Sequence, residues 1–201
     1  IVVGAPNTNS NQGATIVYEY DGISNWYEKQ ILIGSNSTGS LVFQGTSVSI
    51  YNDTIVLSGY FDNSGIGAIW VFVRNQSGLY VQQGSKLVGS GNSGDSCQGS
   101  AVSIWGDSIA VGAVCENNFR GAVWIFTRNN GIWAQQGSKL LPSNNIGTIV
   151  SFGVSVSLQG DTLAIGSRNE NTDDVGATYI FTRSGTVWTQ LTRLVGSNPT
   201  A

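Results

Sequence analysis

The chain has 201 residues, 27 of them Gly and only three Pro, with 10% charged residues, no His and a formal charge of −3. Such a composition, rich in Ser, Asn, Val, Ile and aromatics, favours short strands joined by tight turns, an all-β fold. The charge balance excludes a basic nucleic-acid surface, and the missing histidines exclude His-based acid-base catalysis, His metal sites and Ser-His-Asp triads. No apolar run approaches the roughly 20 residues of a membrane helix. The absence of Met leads us to expect a mature, processed or excised segment.

Self-comparison fixes the organisation before any local reading. Ile1, Ile55, Ile109 and Leu163 fall 54 residues apart, and each opens a segment of the Ile-Val-Val-Gly type. A second block repeats as Gly13-Ala-Thr-Ile-Val-Tyr, Gly67-Ala-Ile-Trp-Val-Phe, Gly121-Ala-Val-Trp-Ile-Phe and Gly176-Ala-Thr-Tyr-Ile-Phe. The repeat units are therefore 1–44, 45–98, 99–152 and 153–201, and the first unit begins at its second strand.

Each full unit carries four strand signals in order. The first, such as Ser47 to Ile50, alternates apolar and small polar residues, which marks a strand. Asn52-Asp53, Gly106-Asp107 and Gly160-Asp161 then supply two-residue turns into the second strand. The third, such as Ala122 to Thr127, is almost unbroken apolar sequence and is expected to be buried on both faces. The fourth starts at Trp26, Tyr80, Trp133 or Trp188 and reads as a half-exposed outer edge. Fifteen antiparallel strands in units of this size are the pattern of a β-propeller, about four blades here, expected to be part of a larger ring.

Phe152-Gly153 opening a first strand, Gly4-Ala5-Pro6 closing a second, and Gly-Ala-Val-Trp-Ile-Phe-Thr-Arg followed by Trp-x-Gln-Gln resemble the FG-GAP repeats of integrin-α-like propellers, in their calcium-free branch. The resemblance covers the whole chain. It implies a ring of about seven blades that binds extracellular protein or glycan partners. The loops where the calcium-binding repeats of that family carry several acids are here Tyr51 to Thr54, Trp105 to Ser108 and Gln159 to Thr162. One carboxylate in each cannot supply the six to eight oxygens that calcium takes, so no metal and no cofactor is expected.

Asp53, Asp107 and Asp161 read as residues that cap their own turns, and Arg74, Arg128 and Arg183 as exposed strand ends. Trp26, Trp133 and Trp188 read as packing between units rather than as sugar platforms. The loops between second and third strands vary more, and variable loops on a rigid scaffold are where binding concentrates. The candidate ligand-binding residues are Asp62, Asn63, Glu116, Asn117, Asn118, Arg120, Glu170, Asp173 and Asp174, set against the plainer reading of solvated loops. Counting outward from Gly106-Asp107 places Cys97 opposite Glu116 and Cys115 opposite Gln98. The thiols are then neighbours one residue out of register, and a bulge would let Cys97 and Cys115 bond in an oxidising compartment. Asn36, Asn52 and Asn75 begin glycosylation sequons. The expected function is a non-enzymatic, secreted or cell-surface module for adhesion, recognition or assembly, with no catalytic residue. A lectin and an accessory propeller of a larger secreted enzyme are the alternatives.

Overall fold

The computed structural model describes residues 1–144, 147, 150–170 and 175–197, and its fold is all-β. Among these residues the strands form one three-stranded and three four-stranded antiparallel sheets, each ordered as in the sequence. The first sheet holds β1 (Val2–Ala5), β2 (Ala14–Tyr20) and β3 (Trp26–Leu32). The second holds β4 (Val48–Tyr51), β5 (Thr54–Gly59), β6 (Ala68–Arg74) and β7 (Tyr80–Gln82). The third holds β8 (Gln98–Trp105), β9 (Ser108–Ala113), β10 (Ala122–Asn129) and β11 (Ile132–Gln135). The fourth holds β12 (Phe152–Gln159), β13 (Thr162–Ser167), β14 (Ala177–Ser184) and β15 (Val187–Leu194).

The turns form as their residues dictate. Tyr51 faces Thr54, Trp105 faces Ser108 and Gln159 faces Thr162 across two-residue connections. Their first residues, Asn52, Gly106 and Gly160, take positive φ, which Asn and Gly tolerate best. In the β2–β3 connection, Asp21 Oδ1 accepts the backbone N–H groups of Ile23, Ser24 and Asn25. Those bonds, that from Asn25 foremost, pull its carboxyl from 3.8 down to about 2. A pKa lowered in the folded chain adds stability above about pH 4 that is lost as pH falls toward 2. A carboxyl-carbon NMR titration should therefore place the Asp21 midpoint near 2; a midpoint near 3.8 would show that the cap does not hold in solution.

The core lies between sheets. One cluster joins Val17 and Leu32 of the first sheet to Ile55, Leu57, Trp70 and Tyr80 of the second. The next joins Val56, Ile69 and Val71 to Ile109, Val111, Trp124 and Trp133, and the last joins Ala110, Val123 and Ile125 to Leu163, Ile165, Tyr179 and Phe181. Here β6 and β10 are buried on both faces, as expected, because each has a sheet on either side. Among the described residues nothing covers the outer faces of the first and fourth sheets. Trp26 is 52% exposed, whereas Tyr80 and Trp133, at the same repeat position, are buried.

Close approach of the sheets depends on glycine. A Cβ at Gly112 would lie 2.0 Å from the Gly153 carbonyl oxygen, and one at Gly89 would lie 2.2 Å from the Trp124 indole. Serines tie the first strands of successive sheets together: Ser47 and Ser49 Oγ accept the N–H groups of Val102 and Ile104, and Ser103 Oγ accepts that of Leu158.

The bulge expected in β8 lies between Gln98 and Ala101, so Gln98 faces Ala113 rather than Cys115. That brings Cys97 and Cys115 together in a disulfide with their Cα atoms 5.4 Å apart. The fourth sheet has the same bulge between Phe152 and Ser155. Gly99 and Gly153, at φ 92° and 90°, are the bulge residues.

Candidate functional site

The second-to-third-strand connections and the connections between sheets lie at one end of the molecule, the two-residue turns at the other. Three of the former begin with single turns: Thr8–Asn11, Asp62–Gly65 and Glu116–Phe119. Each passes through consecutive left-handed residues, Asn9-Ser10, Asn63-Ser64 and Asn117-Asn118, where Asn is favoured among residues with a Cβ. Each is closed by a glycine N–H bonded to the turn's first carbonyl: Gly13 to Thr8, Gly67 to Asp62 and Gly121 to Glu116.

The acids at the head of these connections turn inward. The side chains of Asp62, Glu116 and Glu170 are fully buried, and each pairs with a cation from the outer edge of its own sheet. Lys86 Nζ lies 2.5 Å from Asp62 Oδ2, whose Oδ1 accepts the Thr38 N–H at 2.6 Å. Lys139 Nζ lies 2.6 Å from Glu116 Oε1 and also reaches the Gly91 carbonyl, while both Glu116 oxygens accept the Ser93 N–H. Arg193 Nε donates to Glu170 Oε1 at 2.7 Å, and the Tyr179 hydroxyl donates to the same oxygen at 2.6 Å. Burial first, then the Glu170 carboxylate, pushes the Tyr179 hydroxyl well above the usual phenol range. Burial disfavours the charge of Arg193, but the bond to Glu170 prevails and its pKa is held up.

A carboxylate removed from water requires such partners, and these three clamp the connecting loops to the sheets. The first sheet places Thr8 and Ile31 where the others place acid and base, so it leaves neither charge alone.

The neighbouring residues face outward. Asn63, Asn117, Asn118 and Arg120 are exposed. Asp173 and Asp174 lie outside the described residues. A groove of about 370 Å³ between the second and third sheets is lined by Phe61, Asp95, Cys97, Cys115, Asn118 and Phe119. A smaller one of about 170 Å³ takes Asn117 and Arg120 with Leu141, Pro142 and Val150. Adjacent left-handed residues thus line different grooves.

Phe61 and Asp95 are not among the residues expected from sequence, and Phe119 lies between the expected Asn118 and Arg120 without being singled out there. Their signal is a break in the repeat. Phe61 stands where other copies have Asn7, Cys115 and Asn169; Phe119 where they have Asn11, Gly65 and Asp173; Asp95 where they have Leu41 and Ile149. The fold does not require these side chains at those positions.

The opposite end is scaffold. Arg128 and Arg183 are not loose strand ends, and Asp107 and Asp161 do more than cap turns. Arg128 Nε bonds Asp107 and Arg183 Nε bonds Asp161, both at 2.7 Å, with the guanidinium groups over Trp133 and Trp188. Both arginines also reach the preceding sheet, at Thr54 and Ser108. Arg74 instead meets Glu19 of the first sheet at 3.2 Å. Trp133 and Trp188 donate to Gln83 and Gln136 of the preceding sheets, a packing position rather than an open platform. Asn36, Asn52 and Asn75 are exposed.

No curated protein matched the chain. A match to the FG-GAP repeat family runs from Trp133, in the outer strand of the third sheet, through the β12 bulge at Phe152-Gly153 to Phe181 in β14. Over residues 133–181, then, the chain is similar to an FG-GAP repeat.

Proposed function

We propose that the chain is a non-catalytic β-propeller module of the extracellular space that recognises a protein or glycan partner through its loop-bearing end. The four sheets are consecutive blades around an axis lined by β4, β8 and β12, and the loop end is the face such a module offers. The observation that carries the reading is the division of labour at that end. The acids that recur with the repeat are locked into clamps, while the side chains that break the repeat, Phe61, Asp95, Asn118, Phe119 and Arg120, stand around open grooves. Loops held by a rigid scaffold are a recurrent setting for recognition. The Cys97–Cys115 disulfide and the exposed sequons at Asn36, Asn52 and Asn75 accord with an oxidising, glycosylating route to the cell surface.

Fluorescently labelled protein on intact cells and on extracellular matrix tests the reading. We expect saturable binding that falls at least ~10-fold, ~1.4 kcal/mol, in a Phe119→Ala/Arg120→Ala variant and is unchanged by Val187→Ser at the opposite end. No saturable binding, or loss with Val187→Ser alone, would overturn it.

A further inference from the structure

We infer that the groove between the second and third sheets receives a cation, an alkylammonium or guanidinium group presented by the partner, with Asp95 as its counter-ion and Phe61 and Phe119 as its walls. The inference rests on the recognition reading and names the chemistry of what is recognised.

Charge at the loop end is unevenly committed. Asp62, Glu116 and Glu170 each hold a lysine or arginine from this chain. The Asp95 carboxylate is exposed, and among the described residues no hydrogen bond or ion pair engages it. The two lysines on the flanking sheets, Lys86 and Lys139, are committed to Asp62 and Glu116, so neither competes for Asp95.

Two phenylalanines border that carboxylate, and both are exposed: Phe61 by 37% and Phe119 by 52%. Phe61 is braced from behind by Phe43 and Tyr60, with ring centroids 6.3 and 6.0 Å away. Aromatic faces carry the negative end of a quadrupole and attract cations, more strongly where water is displaced. Gly65 keeps the space between ring and acid open. A Cβ there would lie 3.4 Å from Asp95 Cβ and 3.7 Å from Phe61 Cε2, so the acid and the ring line one gap. Carboxylate and aromatic rings around one gap suit a positive guest and oppose an anion. A neutral sugar could stack on the rings, but it would leave the one uncompensated carboxylate of the groove without a counter-charge.

The site is also built before the guest arrives. The disulfide joins the two sides of the floor, Cys97 N–H bonds the Gly65 carbonyl at 2.8 Å, and Ser93 is held by the buried Glu116. Little ordering is left for binding to impose.

The test is an NMR titration of the 15N-labelled chain with choline, its neutral isostere 3,3-dimethylbutan-1-ol, and methyl α-mannoside. Choline should shift the Gly65, Gly94 and Asn118 amides and bind at least ~10-fold more tightly than the alcohol, ~1.4 kcal/mol. Asp95→Asn, which keeps the shape, should remove that preference; Phe119→Leu should weaken choline about fivefold, with thermal unfolding unchanged in both. Equal binding of choline and the alcohol, choline binding unchanged in Asp95→Asn, or binding of the mannoside alone would overturn the inference. If choline fails while cell binding still depends on Phe119 and Arg120, the cation falls and the recognition reading stands. If cell binding is insensitive to them as well, both fall.

Discussion

Replacing Glu116 by Ala is expected to lower the unfolding free energy by about 3–5 kcal/mol, or roughly 10 °C in melting temperature for a chain of this size. The substitution strands two groups. Lys139, with only 21% of its side chain exposed, keeps the Gly91 carbonyl but loses its counter-ion, and the Ser93 N–H loses both acceptor oxygens. Most of the loss comes from the charge left behind rather than from the bond itself. The first sheet shows how the position is filled without charge, with Thr8 and Ile31. The double replacement Glu116→Thr/Lys139→Ile should therefore recover stability to within about 1–2 kcal/mol of the parent, since removing both charges of a buried pair is often close to neutral. Urea unfolding of the three proteins decides the matter. A Glu116→Ala loss below 1 kcal/mol, or a double variant as unstable as the single, would show that the buried pair does not act as described.

Gly112→Ala should be comparably damaging, for a steric reason. The added methyl would sit 2.0 Å from the Gly153 carbonyl oxygen and 3.0 Å from its carbon, and both are backbone. No rotamer relieves that contact; the third and fourth sheets must separate, and we expect a loss of about 3 kcal/mol or more. Gly196→Ala provides the control, because a Cβ there meets nothing within 4 Å and φ is not positive. It should stay within about 0.5 kcal/mol of the parent. If the two variants melt together, the sheets are not in backbone contact at Gly112.

The architecture was readable because its determinants are local and recur: turn dipeptides, alternating first strands and unbroken apolar third strands mark strand positions without reference to tertiary contacts. The cysteine pairing is legible from the turn count together with a bulge; the register of the bulge is not, and it moves Gln98 from Cys115 to Ala113. Gly99, at φ 92°, is what permits that extra residue, and a glycine in a strand marks a bulge without giving its register.

The site was harder to read. Asp62, Glu116 and Glu170 sit in loops, and loop position alone does not say which way a side chain turns. Their 54-residue spacing, together with a basic residue before each recurring leucine at Leu87, Leu140 and Leu194, held the information that they are paired. Phe61, Asp95 and Phe119 come from three separate segments, and only the folded arrangement of two adjacent sheets puts them around one groove.

The serine bonds and apolar clusters that join the first strands and the faces of successive sheets also bear on how the molecule comes apart. Where each unit leans chiefly on its immediate neighbours, opening behaves as in a one-dimensional chain, and units at the ends melt out more readily than those flanked on both sides. Among the described residues the second and third sheets are packed on both faces. The groove of Phe61 and Phe119 spans that pair, so its walls stand on sheets that are each held from both faces.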